Sequence, residues 1–197
     1  MDGTNSNTTS NSLMRGLLVL ECFTPEKPHL SLAELASVVK VPKSSLFRIV
    51  KTLSEMGFLR YDDVSKRYSV GTRVLSLGFS VLQGMELREL ARPYLEGLSR
   101  QFNKTANLAV LDKHEMVYVE RIRVPTLRDF NISVGSRIAL HNTASGRAVL
   151  SCLDDTKIAV IIEHLRTDDT VSREIGSRGS RLKSILVEAK KQGYAIN

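Results

Sequence analysis

The chain has 197 residues, 42% of them hydrophobic, and 28 Lys and Arg against 21 Asp and Glu give a formal net charge of +7. That is enough apolar material for a core in each of one or two globular domains. Cys22 and Cys152 stand far apart with no CxxC partner, which suggests neither a disulfide framework nor a zinc site. No signal-peptide pattern or membrane-length apolar run appears, so a cytoplasmic setting with no membrane partner is expected.

Residues 1–11 are small and polar and read as a disordered tail. Leu13 to Phe23 (LMRGLLVLECF) is an apolar helical run with more apolar positions than one face requires. The surplus either seals a small domain or pairs with the same helix of a second copy.

From Leu30 to Gly71 the order of elements is that of a winged helix-turn-helix. In LSLAELASVVK, Leu32, Leu35, Ala36 and Val39 recur at helical spacing, and Ser31 with Glu34 three residues later forms a capping box. Val41 and Pro42 break the pattern, since proline ends one helix but fits the first turn of the next. The following helix is predicted to bury Leu46, Ile49, Val50, Leu53 and Met56. Its free face carries Lys43, Ser44, Ser45, Phe47, Arg48 and Lys51. Cations there suit phosphates and guanine edges, hydroxyls suit phosphates or bases, and the aromatic ring suits a thymine methyl group. The run GFLRYDDVSKRYSVG then reads as a hairpin whose turn brings Lys66 and Arg67 toward a phosphate or the minor groove. A lone basic helix is more often a solvated face, but the turn, the basic helix and the basic hairpin occur together and in order. Residues 12–75 are therefore predicted to form a winged helix-turn-helix whose partner is double-stranded DNA. Readers of this class commonly act as dimers on palindromic operators.

From Arg73 to Phe102 two helices follow, RVLSLGFSVLQG and ELRELARPYLEGLSRQF, broken at Gly84, with Pro93 inside the second, and residues 76–102 are read as the linker. Over 103–197 the pattern turns to strands at TANLAVLD, EMVYVERIR and FNISVGSRI. Helical runs follow at ALHNTASGRAVLSCL, DDTKIAVIIEHL and SRLKSILVEAKKQG, and GYAIN reads as the start of a further strand. The predicted class is α+β, an antiparallel sheet with helices following the winged domain.

The chain as a whole resembles the IclR family of bacterial transcriptional regulators. LSLAELASVVKVPKSSLFRIVKTLSEMGFLRYDDVSKRYSVG is similar to the family's DNA-binding domain. VGSRIALHNTASGRAVLSCL is similar to its loop-and-helix signature, and EAKKQGYAIN to the segment leading into its ligand-binding strands. The resemblance implies a GAF-like effector domain and contacts from Ala144, Ser145 and Gly146 to a small organic acid. Those residues open a helix behind Thr143, a good N-cap, where free N–H groups and the dipole favour an anion. The alternative is that Gly146 and Ala148 only permit close packing. The resemblance further implies a homodimer or homotetramer and a repressor of a catabolic operon. An activator, or a shortened DNA-binding form with no working effector pocket, is the alternative.

In that family the domain continues past the equivalent of GYAIN into an acidic loop and more strands. A 197-residue chain is thus expected to hold an organic acid weakly and to self-associate through an open sheet edge. Catalysis is the competing class, through His141 and Cys152 with Asp154 or Asp155 as orienter. The two ends of one helix stand roughly 15 Å apart at 1.5 Å per residue, too far for proton transfer. His29, His114 and His164 have no metal-ligand spacing. No enzyme, cofactor or metal is expected.

Overall fold

The computed structural model describes residues 10–125, 132–176 and 179–197. The chain divides into two compact units, Met1–Gly84 and Met85–Asn197. Most of the expected tail, and Phe130 and Asn131 of the expected third strand, lie outside the described residues.

The first unit contains α1 (Asn11–Glu21), α2 (Leu32–Val39), α3 (Lys43–Glu55), the hairpin β1 (Leu59–Asp62) and β2 (Arg67–Val70), and α4 (Arg73–Gln83). The capping box forms: the Ser31 hydroxyl accepts from the Glu34 amide at 3.3 Å, and the Glu34 carboxylate accepts from the Ser31 amide at 2.7 Å. Helix α2 ends at Lys40 in the left-handed conformation, and α3 starts after Pro42. Val19, Leu30, Leu35, Leu46, Val50, Leu59 and Tyr68 form the core, with Ile49 and Leu53 packed at its edge. Met56 does not join them. It is 47% exposed, because α3 ends at Glu55 and the backbone turns away through Gly57.

The hairpin pairs in the register Leu59 to Val70, Arg60 to Ser69, Tyr61 to Tyr68 and Asp62 to Arg67. Its turn is built by Asp62, whose carboxylate accepts from the amides of Val64 at 2.8 Å and Ser65 at 3.3 Å. Leu30 exchanges two backbone hydrogen bonds with Tyr68, at 3.0 and 2.7 Å, which seats the hairpin against the segment leading into α2. Where the hairpin ends, the Gly71 amide donates to the Phe58 carbonyl at 2.8 Å. A Cβ on Gly71 would lie 2.2 Å from the Gly57 carbonyl oxygen, so only glycine fits this crossing.

The second unit contains α5 (Glu86–Phe102), β3 (Ala106–Asp112), β4 (Glu115–Ile122), β5 (Arg137–Ala139), α6 (Ala144–Ser151), α7 (Asp155–Leu165), α8 (Asp169–Ile175) and α9 (Ser180–Gln192). The sheet is antiparallel in the order β3-β4-β5. Helix α5 continues through Pro93 and packs on β3 and β4. Glu120 of β4, only 5% exposed, holds α5 through Arg88 at 2.9 Å and Arg92 at 3.5 Å. Met116, Leu140, Leu150, Ile161, Ile162, Ile175, Leu182 and Leu186 form the core.

In this unit three details differ from the sequence-based expectation. The third strand is short, since a turn at Val134–Gly135 leaves only the Gly135 amide and the Ser136 carbonyl bonded to Tyr118 before the regular ladder begins at Arg137. Residues 194–197 form no strand. Asp168 caps an unforeseen helix, α8, by accepting from the amides of Thr170 at 2.8 Å and Val171 at 3.3 Å.

Candidate functional site

Helix α3 turns Leu46 and Val50 inward, which leaves Lys43, Ser44, Phe47, Arg48 and Lys51 exposed. Phe47 is 53% exposed, so its ring is open to a partner from outside. Ser45 is half-buried and lies beside Arg48 and Thr52 along a groove whose other wall is Leu13, Gly16 and Leu20 of α1. No side chain caps the N-terminus of α3. Its first amides therefore remain available to an outside acceptor, at the positive end of the helix dipole. Lys51 and Glu55 approach to 3.8 Å with both side chains largely exposed, a loose pair that leaves the ammonium group in solvent.

At the hairpin tip Lys66 adopts the left-handed conformation, φ 55°, and reaches Asp63 only at 3.8 Å. Arg67 is placed differently. Its guanidinium donates to the His29 carbonyl at 2.9 Å and pairs with the Glu34 carboxylate at 3.1 Å, so it braces the hairpin against the start of α2. Local sequence could not show this, because the partners lie more than thirty residues away. Hydrogen bonds from the Ser31 hydroxyl and then the Ser31 amide hold the Glu34 carboxyl below the usual carboxylate range, and Arg67 adds to them. At the other end of α3, Arg73 donates to the Met56 carbonyl at 2.9 Å and covers the Phe58 ring, its guanidinium carbon 5.3 Å from the centroid. A cation thus closes the negative end of the helix.

In the second unit Thr143 caps α6, accepting from the Gly146 amide at 3.2 Å and donating to the Ala139 carbonyl at 2.6 Å. Ala144 and Ser145 are half-buried and Gly146 is buried. The Gly146 amide is therefore occupied by the cap, and a Cβ there would meet the Leu140 carbonyl oxygen at 2.4 Å. Close packing explains Gly146, whereas the first amides of α6, those of Ala144 and Ser145, remain as donors.

His141 precedes this helix and is 6% exposed. Its Nε2 lies 2.9 Å from Glu174 of α8, while its Nδ1 is buried without a partner. Arg147 donates to the carbonyls of His141 at 2.9 Å and Ile196 at 3.0 Å. Cys152 is exposed at the far end of α6, so His141 and Cys152 do not meet. Asp154 instead caps α7 by accepting from the Lys157 amide at 2.8 Å. His114 and His164 do come together, with ring centroids 3.9 Å apart, but stacked face to face. Among the described residues no group of three metal-ligating side chains occurs, and no described helix is long and apolar enough to cross a membrane.

A helix-turn-helix with an exposed basic second helix, closed by a braced hairpin and followed in the chain by an α+β unit, is the architecture of a winged-helix transcriptional regulator. Residues 12–63 match the IclR helix-turn-helix domain, and residues 79–197 match the C-terminal domain of the bacterial transcriptional regulator IclR. The chain belongs to the IclR family of bacterial transcriptional regulators. It is 30% identical over 186 residues to the Pca regulon regulatory protein of Pseudomonas putida, an alignment covering 94% of this chain and 63% of that protein. It is 27% identical over 192 residues to the transcriptional repressor IclR of Escherichia coli, covering 94% and 68%. An IclR-family regulator from Brucella abortus of known crystal structure superposes with a TM-score of 0.76 at 28% identity, covering 95% of this chain and 68% of that one. The chain spans about two thirds of the length of these relatives. They are regulators rather than enzymes.

Proposed function

We propose that the chain is a sequence-specific DNA-binding regulator that lays α3 in the major groove of a palindromic operator. The observation that carries this is the exposed face of Lys43, Ser44, Phe47, Arg48 and Lys51 on a helix whose inward face is committed to a core. In this reading Arg48 and Lys51 reach guanine or phosphate, and the uncapped α3 amides with Ser44 and Ser45 bind phosphate. Lys66 supplies a wing contact, and Arg67 fixes where the wing sits. Residues 12–75 act as the DNA-binding domain, residues 76–102 as linker helices and residues 103–197 as the effector domain.

The protein acts in this reading as a cytoplasmic repressor of a catabolic operon, a direction supported by the name of the repressor relative. A small organic acid is taken up at the α6 N-terminus by the amides of Ala144 and Ser145. The operator's two-fold symmetry calls for a homodimer, or a homotetramer built from two dimers. Helix α1 offers the surface for a second copy: Leu13, Met14, Leu17 and Leu18 are 64%, 43%, 53% and 40% exposed on one short helix. Covering them removes apolar area from water without disturbing the core.

The test is selection from a pool of random duplexes, read by sequencing. The expected outcome is enrichment of an inverted repeat, and R48A should lose the enrichment at specific positions at a cost of about 1 to 3 kcal/mol per lost bidentate base contact. A pool left unenriched by the unmodified chain would overturn the proposal.

A further inference from the structure

Between the His141–Arg147 stretch and helices α8 and α9 lies a pocket of about 190 Å³. Its polar lining is His141, Asn142, Arg147, Glu174 and Arg181, and its apolar wall is Ile175, Leu182 and Ile185. Neither the DNA-binding face nor the α6 amides use these groups. Glu174 sits at the convergence of the pocket's donors. Its Oε2 lies 2.9 Å from Nε2 of the buried His141 and 3.5 Å from the amide nitrogen of Asn142. Its side chain is nevertheless 49% exposed, so it reaches in from the rim rather than being packed in place.

Charge is unbalanced around it. Arg147 and Arg181 line the pocket beside the single carboxylate of Glu174 without pairing with it, and the Arg181 guanidinium makes no ion pair or hydrogen bond among the described residues. Arg147 spends donors on two carbonyls and keeps others, since a guanidinium has five N–H groups. Buried His141 with an unpartnered Nδ1 adds a polar group that the protein leaves unsatisfied. The volume is several times a water's share of about 30 Å³ and below the roughly 300 Å³ at which pockets for larger ligands begin. It suits an ion of a few heavy atoms.

We propose that this pocket binds a small oxyanion, a short carboxylate or inorganic phosphate, and that Glu174 is a built-in competitor holding the anion's place. Arg147 and Arg181 supply the charge, and His141 and Asn142 supply directed donors once Glu174 swings out. The buried Ile175 and Leu182 lower the local dielectric and strengthen these contacts.

Calorimetric titration of the whole chain with sodium acetate and, separately, sodium phosphate at constant ionic strength tests this. Removing the competitor in E174A should tighten binding of one probe about tenfold, a change of about 1.4 kcal/mol. E174Q, which keeps the shape but not the charge, should fall between E174A and the unmodified chain. Adding R181A to E174A should reverse the gain. The probe that responds identifies the anion as carboxylate or phosphate. If neither probe binds E174A or E174Q more tightly, or if R181A leaves the E174A affinity intact, the proposal is overturned. No DNA is present, so failure of operator selection leaves this result untouched. A carboxylate held by the α6 amides would be indifferent to R181A.

Discussion

Gly71 is where the winged unit tolerates least, and the cost of changing it can be worked from distances. In G71A the new Cβ would stand 2.2 Å from the Gly57 oxygen, 3.0 Å from the Gly57 carbon and 3.1 Å from the Phe58 carbon. All three are backbone atoms with no rotamer through which to yield. The chain must separate there, which strains the packing by about 1 to 3 kcal/mol. It also loses the 2.8 Å bond from the Gly71 amide to the Phe58 carbonyl, worth about 1 kcal/mol. The total is about 2 to 4 kcal/mol. Gly57 is a milder case. Its φ is +76° but its Cβ would meet nothing closer than 3.9 Å, so G57A should cost only the left-handed strain of about 1 to 2 kcal/mol. Gly78, inside α4 with open space around it, should become more stable as alanine by about 0.5 to 1 kcal/mol. Because the chain has two units, amide hydrogen exchange at Leu30 and Tyr68 reports the winged unit alone. The expected order of protection at these amides is unmodified, G57A, G71A, while G78A in α4, which buries no residue, should leave them unchanged. A G71A protein protected like the unmodified chain would refute the steric argument.

Acid should loosen the winged unit. Glu34 is lowered by the Ser31 hydroxyl and then the Ser31 amide, and Asp62 by the amides of Val64 and Ser65. Both therefore stabilise the fold above the unfolded carboxylate range of about 4, and that stability is lost as pH falls through their lower folded values. E34Q with D62N should flatten the stability of this unit against pH below about 4, measured by the same exchange. A double variant as acid-sensitive as the parent would contradict this. R67A should raise exchange at Tyr68 while K66A leaves it unchanged, since only Arg67 is tied to Glu34 and His29. L17E should lower the oligomeric state in sedimentation without altering the melt, as Leu17 is exposed and outside the core. An unchanged sedimentation coefficient would remove α1 from the interface.

What could be read from sequence was what depends on near neighbours. The Ser31–Glu34 box, the Pro42 boundary, the Thr143 cap and the pairing of β3 with β4 all rest on groups a few residues apart or on simple alternation. What escaped depends on distant contacts. Met56 matched the helical period, but its exposure follows from where Gly57 redirects the chain. Arg67 looked free beside Lys66, yet Glu34 and His29 capture it. The pairing of His141 with Glu174 needs α8, a seven-residue helix whose Asp168 cap was the one local signal for it. For Gly146 the sequence leaves both a ligand contact and close packing open, and the Leu140 carbonyl above it, which local pattern does not reveal, accounts for the second.

The central claim is that α3 and the wing meet DNA phosphates. Its most direct measurement is the affinity for a duplex as a function of salt, for the unmodified chain and for K43A, K51A and K66A. The account predicts that log K falls linearly with log salt at a slope of about −0.9 per phosphate neutralised, and that each substitution makes the slope shallower by about one. Binding that ignores salt, or slopes that all three variants leave unchanged, would contradict it.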